Sequence, residues 1–305
     1  MNDSKSRTLP RGSVRQRPGT ARAARWFAAR WLAARWLAPA LAGVSALACS
    51  AGDGGPVTPP PQWTLVWSDE FDGAAGDPAD LATWSFDVGG DGWGNAQLEF
   101  NTERPENSGL DGEGNLTITA RREDYLGRRF TSARLKTLGG FSTTYGRIEA
   151  RIALPRGRGI WPAFWMLGTD FPEVGWPECG EIDIMEFRGQ EPRVVLGTIH
   201  GPGYAGGESI SRSLRVPTEQ RFDGRFAVFA VEWDPTRIAW SIDDEVYHVV
   251  TADDVTARGR WVFDHPFFLI LNVAVGGTFV GDPDASTTFP QTMRVDYVRV
   301  YERVK

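Results

Sequence analysis

The sequence predicts an all-β protein built from two packed antiparallel sheets. Short stretches in which apolar and polar residues alternate recur along the chain, and Gly, Asp, Asn and Pro turns separate them, as is typical of half-buried strands. The chain of 305 residues contains 35 Gly and 20 Pro and shows no long amphipathic helical pattern. About 240 residues of such sequence suit one sandwich domain.

Individual strands can be recognised from the alternation. The clearest predicted strands cover residues 116–120, 226–233 and 237–242. The pair Asp243-Asp244 follows the last of these and precedes another alternating run, so it predicts a tight hairpin turn. No internal repeat is found.

The strongest chemical signal is the run Glu181-Ile182-Asp183-Ile184-Met185-Glu186. Alternate side chains of a strand share a face, so Glu181 and Asp183 should point the same way, with the isoleucines behind them. A regular strand would send Glu186 to the apolar side. We therefore predict a β-bulge around Met185, which returns Glu186 to the side of the other two acids.

The bulged strand predicts a pair of acids suited to glycoside hydrolysis. The backbones of Glu181 and Glu186 should lie about four strand steps, roughly 13 Å, apart. Side chains that lean inward then approach the roughly 5–5.5 Å separation of a retaining glycosidase. Glu181, ionised through a proton or hydrogen bond shared with Asp183, is expected to be the nucleophile, and Glu186, with a raised pKa, the acid/base. The alternative is a strand edge with solvated acids, which the interleaved Ile and Met residues disfavour.

Two tryptophans precede this strand at a spacing that suits a sugar-binding surface. Trp161 and Trp165 are four residues apart and share a face if the segment is a strand. Indole rings stack on the apolar faces of sugars, and their N–H groups donate hydrogen bonds. Ordinary sandwich core is the alternative. The 13 tryptophans of the chain exceed what such a core needs, which favours several of them lining a binding surface.

These motifs give the chain a specific resemblance. It is identified as a member of glycoside hydrolase family 16, in the branch of bacterial endo-β-1,3-glucanases (laminarinases), and the resemblance covers nearly all of the chain beyond residue 62. The residues that carry it are 65–71 (LVWSDEF), 92–95 (GWGN), 145–151 (YGRIEAR), 159–167 (GIWPAFWML), 179–186 (CGEIDIME) and 289–301 (FPQTMRVDYVRVY).

The resemblance implies a fold and a set of site residues. The expected fold is a β-jelly-roll sandwich of two curved antiparallel sheets with a concave substrate groove, open to the middle of a polymer. The implied catalytic residues are Glu181, Asp183 and Glu186, and the six-residue bulged form of their motif favours β-1,3 linkages. The residues implied to contact sugar are Asn95, Arg134, Trp161, Trp165 and His200. For His200 a purely structural role is the alternative.

The chain departs from the usual family pattern in two places. Thr278-Phe279 follows Val275-Gly276-Gly277 at the point where relatives carry a tryptophan. Gln97 and Glu99 stand where the family has Glu and Gln in the opposite order. Both differences bear on substrate preference and leave the catalytic strand intact.

The resemblance also implies a structural cation away from the groove. Its ligands would be Glu70, Asp296 and a backbone carbonyl near Gly112, an all-oxygen set that suits Ca²⁺. The alternative is that the two acids are ordinary surface residues at strand ends. No cofactor is expected for the chemistry itself.

The first part of the chain has the pattern of an export leader. Residues 1–48 include nine of the basic side chains and one acid, and residues 36–48 form an uncharged, mainly apolar run that is too short to span a bilayer. Cys49 resembles the lipid-modified cysteine of a bacterial lipoprotein. The predicted organisation is an export signal over 1–48, a flexible linker over 49–62 and a catalytic domain over 63–304. The expected location is a cell-surface or periplasmic lipoprotein, with simple secretion as the alternative.

Charge and cysteine content restrict the partners. Residues 49–305 carry 24 basic and 38 acidic side chains, a net charge of −14, which argues against nucleic acid and strongly anionic polysaccharides as partners.

Cys179 has no expected disulfide partner, and a buried, inert thiol is favoured over a catalytic nucleophile.

The predicted partner is therefore a neutral β-glucan, bound by a monomer that meets a membrane only through its lipid anchor. The predicted function is a retaining endo-β-1,3-glucanase. Agarase, mixed-linkage β-glucanase, transglycosylase and non-catalytic glucan-binding protein remain as alternatives.

Overall fold

A computed structural model describes residues 63–304 and has the predicted all-β architecture. The predicted export signal, Cys49 and the linker to residue 62 lie outside the described residues. The strands are β1 (Trp63–Asp69), β2 (Ser85–Phe86), β3 (Glu99–Asn101), β4 (Ser108–Leu110), β5 (Leu116–Tyr125), β6 (Arg128–Ser132), β7 (Arg134–Lys136), β8 (Gly146–Ala153), β9 (Ile160–Gly168), β10 (Glu181–Phe187), β11 (Val194–His200), β12 (Ile210–Arg215), β13 (Phe226–Asp234), β14 (Arg237–Ile242), β15 (Glu245–Thr251), β16 (Phe267–Val275) and β17 (Gln291–Arg303).

The strands form two sheets. The larger has the order β15-β14-β13-β8-β17-β5-β6-β3, with β1 also on β17 and β4 also on β5. The smaller has the order β12-β11-β10-β9-β16-β7-β2 and carries the acidic strand β10 near its centre. One pair, β3 with β6, is parallel and departs from the antiparallel prediction. No hairpin connects these two strands, since β4 and β5 lie between them in sequence, so a tight turn does not fix their relative direction.

The predicted hairpin at Asp243-Asp244 is confirmed. Both residues have positive φ angles, 49° and 67°, as a two-residue turn of the I′ type requires. The Asp243 side chain fixes the turn further, because its Oδ1 accepts a hydrogen bond of 2.8 Å from the backbone N–H of Val228. This bond ties the turn to β13, the strand that lies next to β14 in the larger sheet.

A single large core cluster contains apolar residues from both sheets. Ile182, Ile184, Met185 and Phe187 of β10 belong to it, as does Trp240 of β14 in the other sheet. Strand β16 is buried at every position, which explains why its sequence is apolar except for Asn272. The smaller sheet thus presents its catalytic motif from a rigid, fully packed support.

Helical structure in the described residues is limited to short segments. These are α1 (Phe171–Val174), α2 (Ala252–Thr256) and single 3₁₀ turns at Gly206–Glu208 and Thr218–Gln220. Within 63–304, no helix has the length and hydrophobicity needed to cross a membrane.

Candidate active site

The predicted bulge in the acidic strand is confirmed. Along β9, Asp183 faces Trp165 and Met185 faces Phe164, so Ile184 is the extra residue on that side. The pairing with β11 shifts over the same segment, between Asp183 and Glu186. Glu181 and Glu186 face residues 167 and 163 of β9, four steps apart, which is about 13 Å of strand.

The bulge returns Glu186 to the side of the other acids. Glu181 and Glu186 are partly exposed, whereas Ile184, Met185 and Phe187 are in the core. Without the extra residue, strand alternation would place Glu186 among these apolar side chains. The local geometry therefore follows from one inserted residue.

A tryptophan from the opposite sheet supports the bulge from below. Trp240 is fully buried, and its indole N–H donates a hydrogen bond of 2.8 Å to the backbone carbonyl of Asp183. Gly197 on β11 provides the space, since a Cβ built there would lie 2.4 Å from Trp240 Cδ1. Where the bulge interrupts the ladder, a polar backbone group thus keeps a partner.

The three carboxyl groups lie in a desolvated environment that opposes charge. Burial raises the pKa of Glu181, and the neighbouring Asp183 raises it further. Burial and Glu186 raise the pKa of Asp183, and burial raises that of Glu186. The pKa of Glu186 is therefore shifted upward, as expected of a general acid. The expected ionised state of Glu181 does not follow from burial or from Asp183 as a like charge; it requires that a proton reside elsewhere in the cluster.

His200 lies beside this cluster and presents a ring N–H close to two of the acids. Its Nδ1 accepts a hydrogen bond of 3.0 Å from the backbone N–H of Gly206, so Nδ1 carries a lone pair and the imidazole proton resides on Nε2. Nε2 lies 3.2 Å from Asp183 Oδ2 and 3.6 Å from Glu181 Oε1. The histidine therefore stabilises negative charge on this acid pair.

The same three residues form a close group of metal-ligand types within 63–304. One ligand atom each from Glu181, Asp183 and His200 lie within 4.8 Å of one another. A metal ion would need a lone pair on Nε2, but the Gly206 N–H keeps the proton there. The arrangement fits a hydrogen-bonded acid cluster better than a metal centre.

Trp161 contacts Glu186 directly. Its indole N–H donates a hydrogen bond of 3.2 Å to Glu186 Oε1. Thr198 Oγ1 lies 3.5 Å from the other carboxylate oxygen of Glu186. Both hydrogen bonds favour the ionised form of Glu186 and partly offset the burial.

Trp165 and Arg134 form a second part of the site. The Trp165 N–H donates 2.8 Å to Asn272 Oδ1, which fixes the plane of the indole. The Arg134 guanidinium lies over the rings of Trp165 and Trp93, with Cζ 4.7 and 5.1 Å from their centroids. Asp87 completes the arrangement with an ion pair of 3.0 Å to Arg134.

Asn95 lies in an exposed turn near the chain segment that follows β16. Its backbone carbonyl accepts a hydrogen bond of 2.9 Å from the N–H of Thr278, and its own N–H donates to Gly92. Its side chain is exposed and makes no hydrogen bond within 63–304. The structure thus brings the acids, Trp161 and His200 together and leaves Asn95 at the surface.

Several residues of this region were missed by sequence reasoning. Trp176 is 45% exposed, and its ring lies 5.9 Å from that of His200, which makes it an accessible aromatic surface beside Glu181. Asn272 and Asp87 orient Trp165 and Arg134. The tryptophan count was a signal for Trp176, whereas the positions of the other two depend on strand pairing.

Cys179 is buried without a disulfide partner, two residues before Glu181. Burial raises the pKa of its thiol to about 12. A thiol with such a pKa is protonated and unreactive at neutral pH, so the expected inert role agrees with its surroundings.

The residues implied to bind calcium are engaged otherwise. Both carboxylate oxygens of Glu70 accept hydrogen bonds from Arg299, at 2.9 and 2.7 Å. Asp296 accepts one of 2.5 Å from Arg151. Because an arginine neutralises each carboxylate, the pair as arranged does not fit a calcium ion.

Comparison with known proteins agrees with this fold. The family model "Glycosyl hydrolases family 16" matches residues 95–299. A β-glucanase of Rhodothermus marinus is 49% identical over 258 residues, which cover 80% of this chain and 87% of the relative.

Two solved structures are similarly close. The laminarinase catalytic domain of Thermotoga maritima has a TM-score of 0.75 and 49% identity, covering 80% of this chain and 99% of its own. The endo-β-1,3-glucanase of Pyrococcus furiosus has a TM-score of 0.76 and 48% identity, covering 80% and 96%. The chain therefore belongs to glycosyl hydrolases family 16 and is a glycoside hydrolase.

Proposed function

We propose that the protein is a retaining endo-β-1,3-glucanase that hydrolyses laminarin-like β-glucans. The observation that carries the proposal is the bulge that places Glu181 and Glu186 four strand steps apart on one side of β10. Inward-leaning glutamates at that spacing suit a nucleophile and an acid/base on either side of one glycosidic bond. The laminarinase and endo-β-1,3-glucanase names of the similar proteins support the choice of linkage.

In the first half of the reaction, the Glu181 carboxylate attacks the anomeric carbon. Glu186 donates its proton to the glycosidic oxygen, the bond to the leaving sugar breaks, and a glycosyl ester of Glu181 forms. Glu181 can attack as an anion if the proton of the Glu181–Asp183 pair resides on Asp183. The Nε2–H of His200 then stabilises the remaining charge.

In the second half, Glu186 acts as a base. Its carboxylate takes a proton from water, whose oxygen attacks the anomeric carbon and releases Glu181. The Trp161 N–H on Glu186 Oε1 stabilises the charged carboxylate in this stage. Two displacements on the same carbon restore the original β configuration.

The flat side chains around the acids are proposed to bind the polymer. Trp161 and Trp165 lie on β9 beside β10, and Trp176 lies near His200 beside Glu181. Sugar rings stack on such surfaces, while Arg134 and the exposed Asn95 offer hydrogen bonds to hydroxyl groups. Aromatic surfaces on both sides of the acids suit a chain that is bound in its middle.

A substrate panel tests the activity. The purified protein is incubated with laminarin, lichenan, agarose and xyloglucan, and the products are sized. We expect short β-1,3-linked oligomers from laminarin. Cleavage of agarose without cleavage of laminarin would overturn the proposal, and longer products from oligosaccharide donors would indicate a transglycosylase.

The residue roles are tested by azide rescue on a substrate with an activated leaving group. Glu181→Ala should be inactive, and azide should restore turnover with an α-glycosyl azide as product. Glu186→Ala should instead give a β-glycosyl azide, since the covalent intermediate still forms. The opposite stereochemistry would reverse the two roles.

We further propose that the protein is exported and that Cys49 is lipid-modified. The support is the basic segment followed by an apolar run that ends at Ala46-Leu47-Ala48-Cys49. Labelled palmitate should appear in the wild-type protein and be lost in Cys49→Ser. Labelling that persists in this variant would contradict lipid attachment at Cys49.

Calcium at Glu70 and Asp296 stays a prediction from family resemblance. The ion would have to displace Arg299 and Arg151 from the two carboxylates. Calcium titration monitored by the melting temperature tests it. A melting temperature that stays constant with added calcium would contradict a structural ion.

A further inference from the structure

Phe279 lies in the segment that follows β16, where the sequence departs from the family pattern. Its ring packs against the indole of Trp161, with centroids 4.9 Å apart and planes inclined by 43°. The guanidinium of Arg188 also lies over this ring, with Cζ 4.2 Å from the centroid. Phe279 therefore contacts both an indole and a cation.

Trp161 and Arg188, the two contacts of Phe279, both lower the pKa of Glu186. The Trp161 N–H donates to Glu186 Oε1, and Arg188 follows Glu186 by two residues, directly after the end of β10. Burial raises the pKa of Glu186, whereas the hydrogen bond from Trp161 and the charge of Arg188 oppose that rise. Phe279 thus contacts the indole donor and the cation that favour the charged form of this carboxylate.

The backbone around Phe279 is fixed by a separate clamp. Gln190 Nε2 donates 2.8 Å to the carbonyl of Val280, and its Oε1 accepts 3.3 Å from the N–H of Gly159. Val280 is buried in a small cluster with Trp161 and Ala274. Because this segment is anchored, the Phe279 ring can hold Trp161 in one orientation.

We propose that Phe279 is a positioning residue that keeps the Trp161 N–H directed at Glu186 during proton transfer. The inference rests on the proposed acid/base role of Glu186. As the leaving oxygen takes the proton, negative charge develops on the carboxylate, and a correctly held indole N–H stabilises it. Loss of the ring would leave Trp161 free to turn away.

The test compares substrates that do and do not need an acid. Phe279→Ala should lower kcat/KM about ten-fold on a β-1,3-gluco-oligosaccharide, the scale of one lost hydrogen bond to a charged group. A 2,4-dinitrophenyl glycoside of the same β-1,3-linked disaccharide leaves without protonation, so its kcat/KM should change less than two-fold. For the oligosaccharide, the basic limb of the plot of kcat/KM against pH should move to higher pH, because the Glu186 carboxylate loses a group that stabilises its charge.

Two further variants separate positioning from general damage. Phe279→Trp keeps a flat ring and should restore most of the lost kcat/KM, whereas Phe279→Leu keeps apolar bulk without the ring and should behave like Phe279→Ala. Leu and Trp variants that melt close to wild type keep the test valid if the Ala variant folds poorly. Equal losses on both substrates would contradict a role in proton transfer.

A double-mutant cycle tests the route through Trp161. Trp161→Phe keeps a ring and removes the N–H. Adding Phe279→Ala to this variant should therefore cause no further shift in the basic limb of its kcat/KM profile against pH. Additive effects would overturn the inference. Glu186→Ala, assayed on the dinitrophenyl glycoside, is the separate check on the acid/base role: a glycosylation rate that falls as far as in Glu181→Ala would remove that role, whatever the Phe279 variants do.

Discussion

The indole N–H of Trp240 donates a hydrogen bond of 2.8 Å to the backbone carbonyl of Asp183, from one sheet of the sandwich to the bulge of the other. The bulge disrupts the strand ladder at the point where the catalytic acids are presented. A buried donor from the opposite sheet makes this irregular backbone a stable feature. The geometry of the acids therefore depends on a residue that touches none of their carboxyl groups.

Trp240→Phe should reduce both stability and turnover. It leaves the buried Asp183 carbonyl without its donor, which costs about 1–3 kcal/mol of unfolding free energy. A relaxed bulge should also lower kcat on laminarin about ten-fold, a loss of about 1.4 kcal/mol in transition-state stabilisation. Urea unfolding and steady-state kinetics measure the two effects.

Trp233→Phe is the matched control. Its indole N–H donates 3.0 Å to the backbone carbonyl of Phe263, so this buried bond involves no residue of β10. The control should lose comparable stability and keep its kcat. If both variants lost the same fraction of kcat, the special role of Trp240 would be refuted.

Gly197→Ala should disturb the same support from the β11 side. The added Cβ would lie 2.4 Å from Trp240 Cδ1 and 2.6 Å from the hydroxyl of Tyr247, so one of these rings has to move. Overpacking of this kind typically costs about 1–3 kcal/mol. Thermal unfolding should show the loss, while Gly207→Ala, where a Cβ meets nothing within 4 Å, should melt like the wild type. Equal melting of the two variants would contradict close packing at Gly197.

Arg134→Lys should weaken substrate binding more than chemistry. The lysine keeps the charge but loses the planar group that lies over Trp93 and Trp165. Without it, the Trp165 surface should become less ordered, and KM for β-1,3-gluco-oligosaccharides should rise about five-fold, within the range of a lost cation–π contact. Arg122→Lys, which removes a similar stack on Phe130 and Phe289, is the control and should keep the wild-type KM. A fall in kcat at constant KM would argue against a binding role for Arg134.

Glu99→Gln should change how stability depends on pH. Glu99 is fully buried, its Oε2 accepts 2.8 Å from the Val275 N–H, and burial raises its pKa to about 7. Between the unfolded pKa and this value the unfolded chain binds fewer protons, so the native state loses stability as pH rises from about 4.5 to 7. The accumulated penalty at pH 8 is about 3 kcal/mol. The variant should lose this part of the slope when unfolding is compared at pH 5 and pH 8, and an unchanged slope would contradict the raised pKa.

The bulge could be predicted from sequence because its cause is local. Strand parity and three acids within six residues required one extra residue, and the structure has it between Asp183 and Glu186. The hairpin at Asp243-Asp244 was predictable for the same reason. Each of these features depends on residues that are neighbours in the chain.

The features that depend on register or on the packing of the two sheets could not be predicted. Trp240 is 57 residues from Asp183, and no sequence pattern connects them. The arginines that pair with Glu70 and Asp296 approach from neighbouring strands, so their contacts require the register of β17 with β1 and β8. The parallel pairing of β3 with β6 was likewise set by chain routing and not by local propensity.

The electrostatics of the acids were predictable only in part. Crowding indicated a raised pKa for Glu186, and burial pushes it in that direction. The rise in the pKa of Glu181 depends on how deeply β10 is buried, and the alternation of apolar and polar residues does not predict that depth. The tautomer of His200 depends on the Gly206 N–H, six residues later, and needed the folded loop.

Trapping of the covalent intermediate tests the central claim most directly. A 2-deoxy-2-fluoro glycoside of a β-1,3-linked glucose disaccharide, with a good leaving group, should inactivate the enzyme and add one glycosyl mass. The fluorine slows both displacements, whereas the leaving group accelerates only the first, so the intermediate accumulates. Peptide mass spectrometry should find the sugar on Glu181. A label on Glu186, or turnover without a label and with an α-anomeric product, would contradict a retaining mechanism on this bulged strand.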